Sequence, residues 1–379
     1  MNNDIKVVNK TLEKKNTMVV FSAIDPFKVT PIPSSKESET KGQGWVIYGD
    51  RNAYPNFLYS LYQDDATLQS IVDGMVDYLK GASIEMTFDL GWGPNIVNRT
   101  GQHIEEFAER CFSDLAIFGG YYIQVIRAND KSIKELYWLD YRFMRTDKDN
   151  QSFYYSEDFA NEKSYGRCKT LVYPKFIQDA DVETSVYFFK RAQSRGVYAL
   201  PIYNGAIKSV VTDMKINNFS LNEVENNFTA SALINFCNGI PDDKVKEQIE
   251  RDLEEKFSGS ENAGRFLISY NTDADHATKV ERIQADDFDK RYEALQKRVQ
   301  AQIFVSMRAN PQLFGMPVEG TGFAGQEYEA ANQLYVRSVI EPSQNSFINV
   351  LDKIFDVEGS VVITPIKSIT TNKEYKPII

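Results

Sequence analysis

Residues 319–327 read EGTGFAGQE, and Gly320, Gly322 and Gly325 stand in a G-x-G-x-x-G spacing. Glycines so spaced let a backbone approach a pyrophosphate at a helix N-terminus, which makes the stretch a candidate nucleotide cradle. That chemistry needs a buried strand before the glycines and a helix after them. A helix is predicted after them, in QEYEAANQLY, but RANPQLFGMPVE ahead of them carries two prolines and does not read as a strand. Glu341 lies near the distance expected of a ribose-binding acid, yet it precedes Pro342 inside helical texture. A nucleotide-binding enzyme using the 320–325 loop stands as one alternative. The plainer reading is a flexible loop ahead of a helix.

Other reactive residues are sparse. His103 and Cys111 share one predicted helix, about 12 Å apart along its axis, too far for a nucleophile to meet its base. His276 with Asp273 and Asp275 in TDADHATK has metal-ligating types but no second cluster, and reads as a solvated turn. The pairs Asp242-Asp243 and Asp286-Asp287 sit at predicted helix starts, where capping and the helix dipole account for them. No nucleophile, base and orienting group come together, so we expect no enzyme, no metal and no cofactor. Cys111, Cys168 and Cys237 include no C-x-x-C, which points to a reducing compartment and away from structural zinc.

The elements that must position any site come next. The chain has 379 residues, 42% of them hydrophobic and 13% aromatic, enough for a core in more than one domain. Its net charge of −10 argues against tight gripping of phosphates but allows DNA to slide past. No apolar run reaches the roughly 18 residues of a membrane span. MVVFSAI at 18–24 follows Lys14 and Lys15 as a signal peptide's core would, but Asp25-Pro26 ends it and no cleavage site follows, so secretion is not expected.

The first 45 residues read as a loop or arm. WVIY at 45–48 is a predicted strand. Leu68, Ile71, Val72, Met75 and Leu79 mark a helix capped by Gly81, and Ile104 to Phe118 mark another. The period then changes to two, giving strands in a meander over 120–190. Residues 206–236 carry one helical stripe, about 45 Å long if continuous, although its asparagines and β-branched residues are poor helix formers. A helix that weak needs neighbours to hold it. NGIPDDKVKEQIERDLEEKFSG predicts a solvated helix, with Lys246–Glu250 and Glu247–Arg251 as candidate pairs, and GRFLISYN and TKVERI read as strands. A second long helix covers 285–309 and stops at Pro311. The glycine stretch leads into a helix over 326–355 with a kink at Pro342, and SVVITPI is a last strand.

This order resembles the portal protein of tailed double-stranded DNA phages. The resemblance is carried by YGDRNAYPNFLYSLYQDDATLQSIVDGMVDYLKG, by FCNGIPDD and GSENAGRFLISYN between the long helices, by RANPQLFG, and by SVIEPSQNSFINVLDKIF. It implies an α+β portal-like fold: an N-terminal arm (1–44), a wing (45–205), a first stem helix (206–237), a clip (238–284), a second stem helix (285–310), a tunnel loop with its wing helix (311–357), and a C-terminal strand and tail (358–379). With so few residues after SVVITPI, the helical crown of such portals should be short or absent.

The resemblance further implies a ring, commonly of twelve subunits, at a capsid vertex of the virion, assembled in the bacterial cytoplasm. Double-stranded DNA would pass through without sequence readout, driven by the large terminase. The major capsid protein and a head–tail adaptor would be partners, and no membrane is involved. Val318, Glu319, Gly320, Thr321, Gly322, Phe323, Ala324 and Gly325 would face DNA in the tunnel loop. Lys290, Arg291, Lys297 and Arg298 would line the channel or pair with a neighbouring subunit. Asp242, Asp243, Lys246, Glu247, Glu250 and Arg251 would face terminase or adaptor on the clip. Another head–tail connector component, lacking a DNA-sized channel, is the remaining alternative.

Overall fold

The computed structural model describes residues 16–20, 32–39, 44–159, 170–225, 232–236, 241–249, 266–271, 288–316 and 325–366. They fall into two compact units, Pro31–Asp213 with Lys297–Ile379, and Met1–Thr30 with Met214–Gln296.

The larger unit is built around one hairpin. Strands β5 (Gly120–Arg127) and β6 (Ile133–Leu139) pair antiparallel across a turn at Ala128–Lys131, where Lys131 takes φ 68° and Asp130 accepts from the Ser132 amide and hydroxyl. Strand β10 (Thr184–Lys190) returns to the free edge of β5, giving the order β10-β5-β6. The strands in between, β7 (Met144–Thr146), β8 (Ser152–Tyr155) and β9 (Leu171–Pro174), form a second antiparallel sheet. The single meander expected over this region is therefore two three-stranded sheets. The reason lies in β5, which is buried along nearly its whole length and needs cover on both faces. Tyr121 lies against Phe189 and Phe347 on one face, and Tyr122 stacks on Phe188 and meets Phe153 of β8 on the other.

Helix α3 (Ile104–Phe118) supplies much of the cover, and buries Phe107, Ala108, Cys111, Phe112 and Leu115. Helices α1 (Tyr54–Asp64) and α2 (Ala66–Lys80) precede it. The α2 stripe Leu68, Ile71, Val72, Met75, Val76 and Leu79 is buried as the 3–4 spacing predicts. Gly81 closes α2 at φ 65°, and a side chain there would strike the Thr364 carbonyl at 2.3 Å. That close approach lets β13 (Val361–Thr364) pair antiparallel with β4 (Ser83–Met86).

One cation holds the aromatic interior together. Arg145 is fully buried, and its guanidinium donates to the Asn52 Oδ1 and carbonyl at 2.6 Å each and to the Met144 carbonyl at 2.6 Å. Asn52 sits at φ 63° and also accepts from the Tyr48 amide of β3 (Val46–Tyr48). Strand β2 (Glu37–Glu39) pairs with β3, and Glu37 accepts from the Val197 and Tyr198 amides.

The smaller unit contains a mixed sheet, ordered β1-β12-β11. Strand β1 (Asn16–Val20) runs antiparallel to β12 (Phe266–Asn271), and β11 (Ala232–Phe236) runs parallel to it. Two expectations are corrected here. Residues 16–20 are a strand within the expected arm, because TMVV has the β-branched texture of a strand and finds a free edge on β12. The first long helix, α4, spans Ile207–Glu225 and does not reach 236, since ALINF is a strand. ALINF carries β-branched and aromatic residues that suit a strand. Residues 243–249 form α5, which lies in sequence between the two parallel strands, as a crossover requires.

The second long helix, α6, spans Phe288–Met307. The helix expected over 326–355 is divided into α7 (Gly325–Tyr335), a π-helical turn at Val336–Ile340, and α8 (Glu341–Phe355). Pro342 occupies the first turn of α8, where its missing N–H costs nothing, so the irregular step is taken one turn earlier by the π turn.

Candidate functional site

The two long helices contact each other within each unit. In the smaller unit Gln296 donates to Asn217 at 3.0 Å and the Phe219 and Tyr292 rings stack at 5.0 Å. Rising numbers on α4 meet falling numbers on α6, so the pair is antiparallel. In the larger unit Ser209 donates to Gln302 at 2.7 Å. Toward its C-terminal end α6 buries Val299, Ile303, Phe304 and Met307. Its opposite side carries Arg298, Ala301 and Val305, all exposed, with Val305 at 76%. Lys297 is also exposed. Lys290 and Arg291 lie on the same helix. All four stem cations thus share α6.

Past α6 the backbone turns back on itself. The Ala309 amide donates to the Phe304 carbonyl and the Arg308 amide to Val305, the double bond of a Schellman stop. Asn310 then caps a 3-10 turn at Pro311–Phe314, accepting from the Gln312 amide at 3.0 Å. The last described residues ahead of the glycine motif thus form a turn and not a strand. Gly325 is the first residue of α7, so the helix half of the nucleotide pattern is present, and no strand directly precedes the motif among the described residues. Val318, Glu319, Gly320, Thr321, Gly322, Phe323 and Ala324 lie outside the described residues.

What the sequence did not disclose is how the residues on either side of 317–324 pack together. Phe314 just before it and Tyr335 on the helix just after it meet edge to face at 5.6 Å. Tyr78 of α2 contacts both rings, at 6.5 and 5.4 Å, and Phe304 closes the cluster at 6.3 Å from Phe314. The Tyr78 hydroxyl donates to Asn332 at 2.9 Å, and burial raises the pKa of both Tyr78 and Tyr335, so the clasp carries no charge. Gly74 makes room, since a Cβ there would lie 2.7 Å from the Phe314 ring. Gln344 donates to the Leu79 carbonyl at 3.0 Å and ties α8 to the end of α2. A glycine on the polar flank of the α2 stripe was the one available signal, and it is weak without the Phe314 partner.

The remaining candidates separate. Asp242 and Asp243 are exposed at the start of α5, and the Asp242 carbonyl accepts from the Val245 and Lys246 amides. Lys246 pairs with Asp243 at 3.1 Å, and Glu247 is exposed on the same helix. Glu250 and Arg251 lie outside the described residues, as do Cys168, Cys237, Asp273, Asp275, His276, Asp286 and Asp287. His103 caps α3, its Nδ1 accepting from the Glu105 amide at 3.3 Å. Cys111 is buried on the inner face of α3 and burial pushes its thiol pKa well up, the opposite of a nucleophile's environment. Among the described residues no group of three or more His, Cys, Asp or Glu could hold a metal. No helix among them is long and apolar enough to cross a membrane.

Comparison with known proteins matches this arrangement to one family. The model of the phage portal protein family aligns with residues 99–361. The chain is similar in fold to a chain in the virion of a native gene transfer agent particle, with TM-score 0.51 and 15% identity over 83% of this chain and 85% of that one. A chain in the neck of the native particle, computed with C12 symmetry, gives TM-score 0.52 and 14% identity at the same coverage. An HK97-family phage portal protein from Corynebacterium diphtheriae gives 0.46 and 8% identity over 78% of this chain and 88% of that one. No curated protein sequence matches. The family match takes in both long helices and everything between them, and the chain belongs to the phage portal protein family.

Proposed function

We propose that copies of this chain close into a ring, twelve in number, at one capsid vertex, and that the ring is a channel for double-stranded DNA. The observation that carries this is the family match over residues 99–361, which spans α4, the strands between the long helices, α6 and the helices after them. The exposed Arg298, Ala301 and Val305 stripe supports it, because a heterologous contact repeated around a closed ring covers such a face. The C12 symmetry belongs to the gene transfer agent neck, and is the basis for the number here.

In this reading the ring is structural and performs no catalysis. At −10 per chain it is acidic, so DNA slides through it rather than adhering. The large terminase drives packaging from the side of the clip, where Asp242, Asp243, Lys246, Glu247, Glu250 and Arg251 face terminase or adaptor. The major capsid protein surrounds the ring, and genome ejection follows the same path outward. The segment from Val318 to Gly325 projects toward DNA with Phe323 at its tip, and the aromatic clasp packs the residues that flank it. Lys290, Arg291, Lys297 and Arg298 pair across subunits or face the channel. Assembly occurs in the bacterial cytoplasm and the product resides in the virion.

Electron microscopy with single-particle mass measurement tests the reading. Rings of about twelve chain masses are expected, with a central opening wide enough for duplex DNA. A persistent monomer at high concentration, with no rings on co-expression with the capsid protein, would sink it. Rings with a narrow opening would favour another connector component. A rise in melting temperature with added nucleotides would revive the 320–325 loop as an enzyme site.

A further inference from the structure

Arg191 and Arg308 line one cavity of about 270 Å³ in the larger unit, together with Ser338, Ser343 and Ser346. Neither guanidinium has a carboxylate or hydrogen-bond partner among the described residues. Arg191, which follows β10, is half-buried, and that burial together with the charge of Arg308 lowers its pKa. The three serine hydroxyls donate to the carbonyls of Leu334, Val339 and Pro342, four residues back along their helices. The charged donors of the cavity are therefore the two guanidinium groups, with the Gln193 amide beside them.

Arg308 is unusual on a second, independent count. It is the left-handed residue of the Schellman stop of α6, at φ 55°. That position favours glycine, and any other residue there is strained. The chain thus accepts backbone strain to put a second cation beside the first. Both are unfavourable within the isolated chain. Strain of this kind persists where something else compensates it, and an anion in the cavity would.

We propose that this cavity receives an Asp or Glu side chain from a second copy of the chain, whose carboxylate bridges Arg191 and Arg308. The proposal rests on the ring reading above. Charge complementarity points to a copy of the same chain, which carries 53 acidic against 43 basic residues. Shape points to a projecting side chain and away from DNA, since duplex phosphates lie on a convex rod and do not insert into a cavity. Ser338, Ser343 and Ser346 make part of the lining polar, which suits a polar side chain from a partner.

The test uses the full-length chain and reads the concentration for half-assembly by single-particle mass measurement. Arg308→Glu is expected to raise it at least thirtyfold, roughly the consequence of removing one partner of a buried charge pair. Arg308→Lys keeps the charge and should stay much closer to the parent. Arg308→Gly supplies the contrast: it relieves strain and repulsion, so the dissociated chain should melt higher by about 1–3 °C, while assembly weakens. Arg308→Glu rings forming at the parent's concentration overturn the proposal and leave the ring reading intact. A parent chain that never forms rings removes both. Intact assembly with lost affinity for a fluorescent DNA duplex assigns the cavity to phosphate instead, and also overturns it.

Discussion

Helices α3 and α6 both repeat apolar residues at spacings of three and four, yet they end in different surroundings. All but five of the fifteen residues of α3 are buried, including the acid Asp114, which accepts from the Trp138 indole at 2.8 Å. Over the last turns of α6 only Val299, Ile303, Phe304 and Met307 are buried, with Val305 exposed among them. One helix has found its whole environment inside its own chain. The other has half of one. The contrast teaches that a similar periodicity can describe a finished core and an interface still waiting for its partner. Under the proposed ring, α3 is stabilised within its own chain, whereas the exposed side of α6 is covered by assembly.

The sharpest way to break this comparison is to cut into α3. Phe112 is fully buried against Phe347 of α8 at 4.8 Å. Phe112→Ala should destabilise the isolated chain by about 3–5 kcal/mol, measured by denaturant unfolding below the assembly concentration. A change under 1 kcal/mol would mean that the wing, too, depends on the ring for its stability.

The contact of α2 with α4 in the larger unit gives a pH-dependent test. Asp65, the N-cap of α2, is fully buried, and its Oδ1 accepts from the Leu68 amide at 2.7 Å while Oδ2 has no partner. Burial, with Asp213 of α4 nearby, raises its pKa from 3.8 to about 6. Asp213 itself accepts from Thr67 at 3.0 Å. Between pH 4 and 6 the folded chain holds this proton and the unfolded chain does not. Stability therefore falls as pH rises through that window, by at most about 3 kcal/mol. Asn caps a helix as well as Asp, so Asp65→Asn should flatten this part of the profile and stabilise the chain at pH 8. An unchanged slope between pH 4 and 6 would show that Asp65 ionises freely.

The same contrast explains what could be read in the sequence. The α2 stripe, the α3 stripe, the β5–β6 hairpin and the stop at Pro311 are local, and local pattern was enough for them. The placement of β1 was not legible, because a strand's partner some 250 residues away leaves no trace in its own spacing. The end of α4 was legible in part: its asparagines signalled weakness, but the stripe of apolar residues continued past the point where the helix stops. The candidate site divides likewise. The glycine motif was visible at once, but its spacing alone does not assign a role, and the described residues ahead of it form a turn. The clasp of Tyr78, Phe304, Phe314 and Tyr335 draws on three separate segments, and aromatic residues in those segments read simply as core.

The clasp offers an intermediate effect. Gly74 lies on α2 in ordinary helical surroundings, where alanine is normally favoured by about 1 kcal/mol. Here a Cβ would meet the Phe314 ring at 2.7 Å. Gly74→Ala should reverse the usual sign, with a loss of about 1–2 kcal/mol as the ring is displaced. A second variant with Phe314→Leu should recover part of it, because the smaller side chain accepts the methyl. Stabilisation by Gly74→Ala alone would mean that the ring moves freely and fixes nothing.

The smallest effect on the chain should accompany the largest on its assembly. Val305 is 76% exposed on α6, one turn beyond Ala301 and two beyond Arg298. In a monomer, an exposed valine replaced by aspartate changes stability by about 0.5 kcal/mol or less. If the stripe is buried between subunits, the same aspartate must lose its water without gaining a partner, which disfavours the contact by several kcal/mol. Val305→Asp should therefore melt within a degree or two of the parent when dissociated, and yet form few rings at concentrations where the parent is fully assembled. Val305→Ala, which removes apolar area and adds no charge, should lie between them. Equal ring formation by all three would place this face of α6 in solvent, and the incomplete burial of the stem would then need a cause other than a neighbouring subunit.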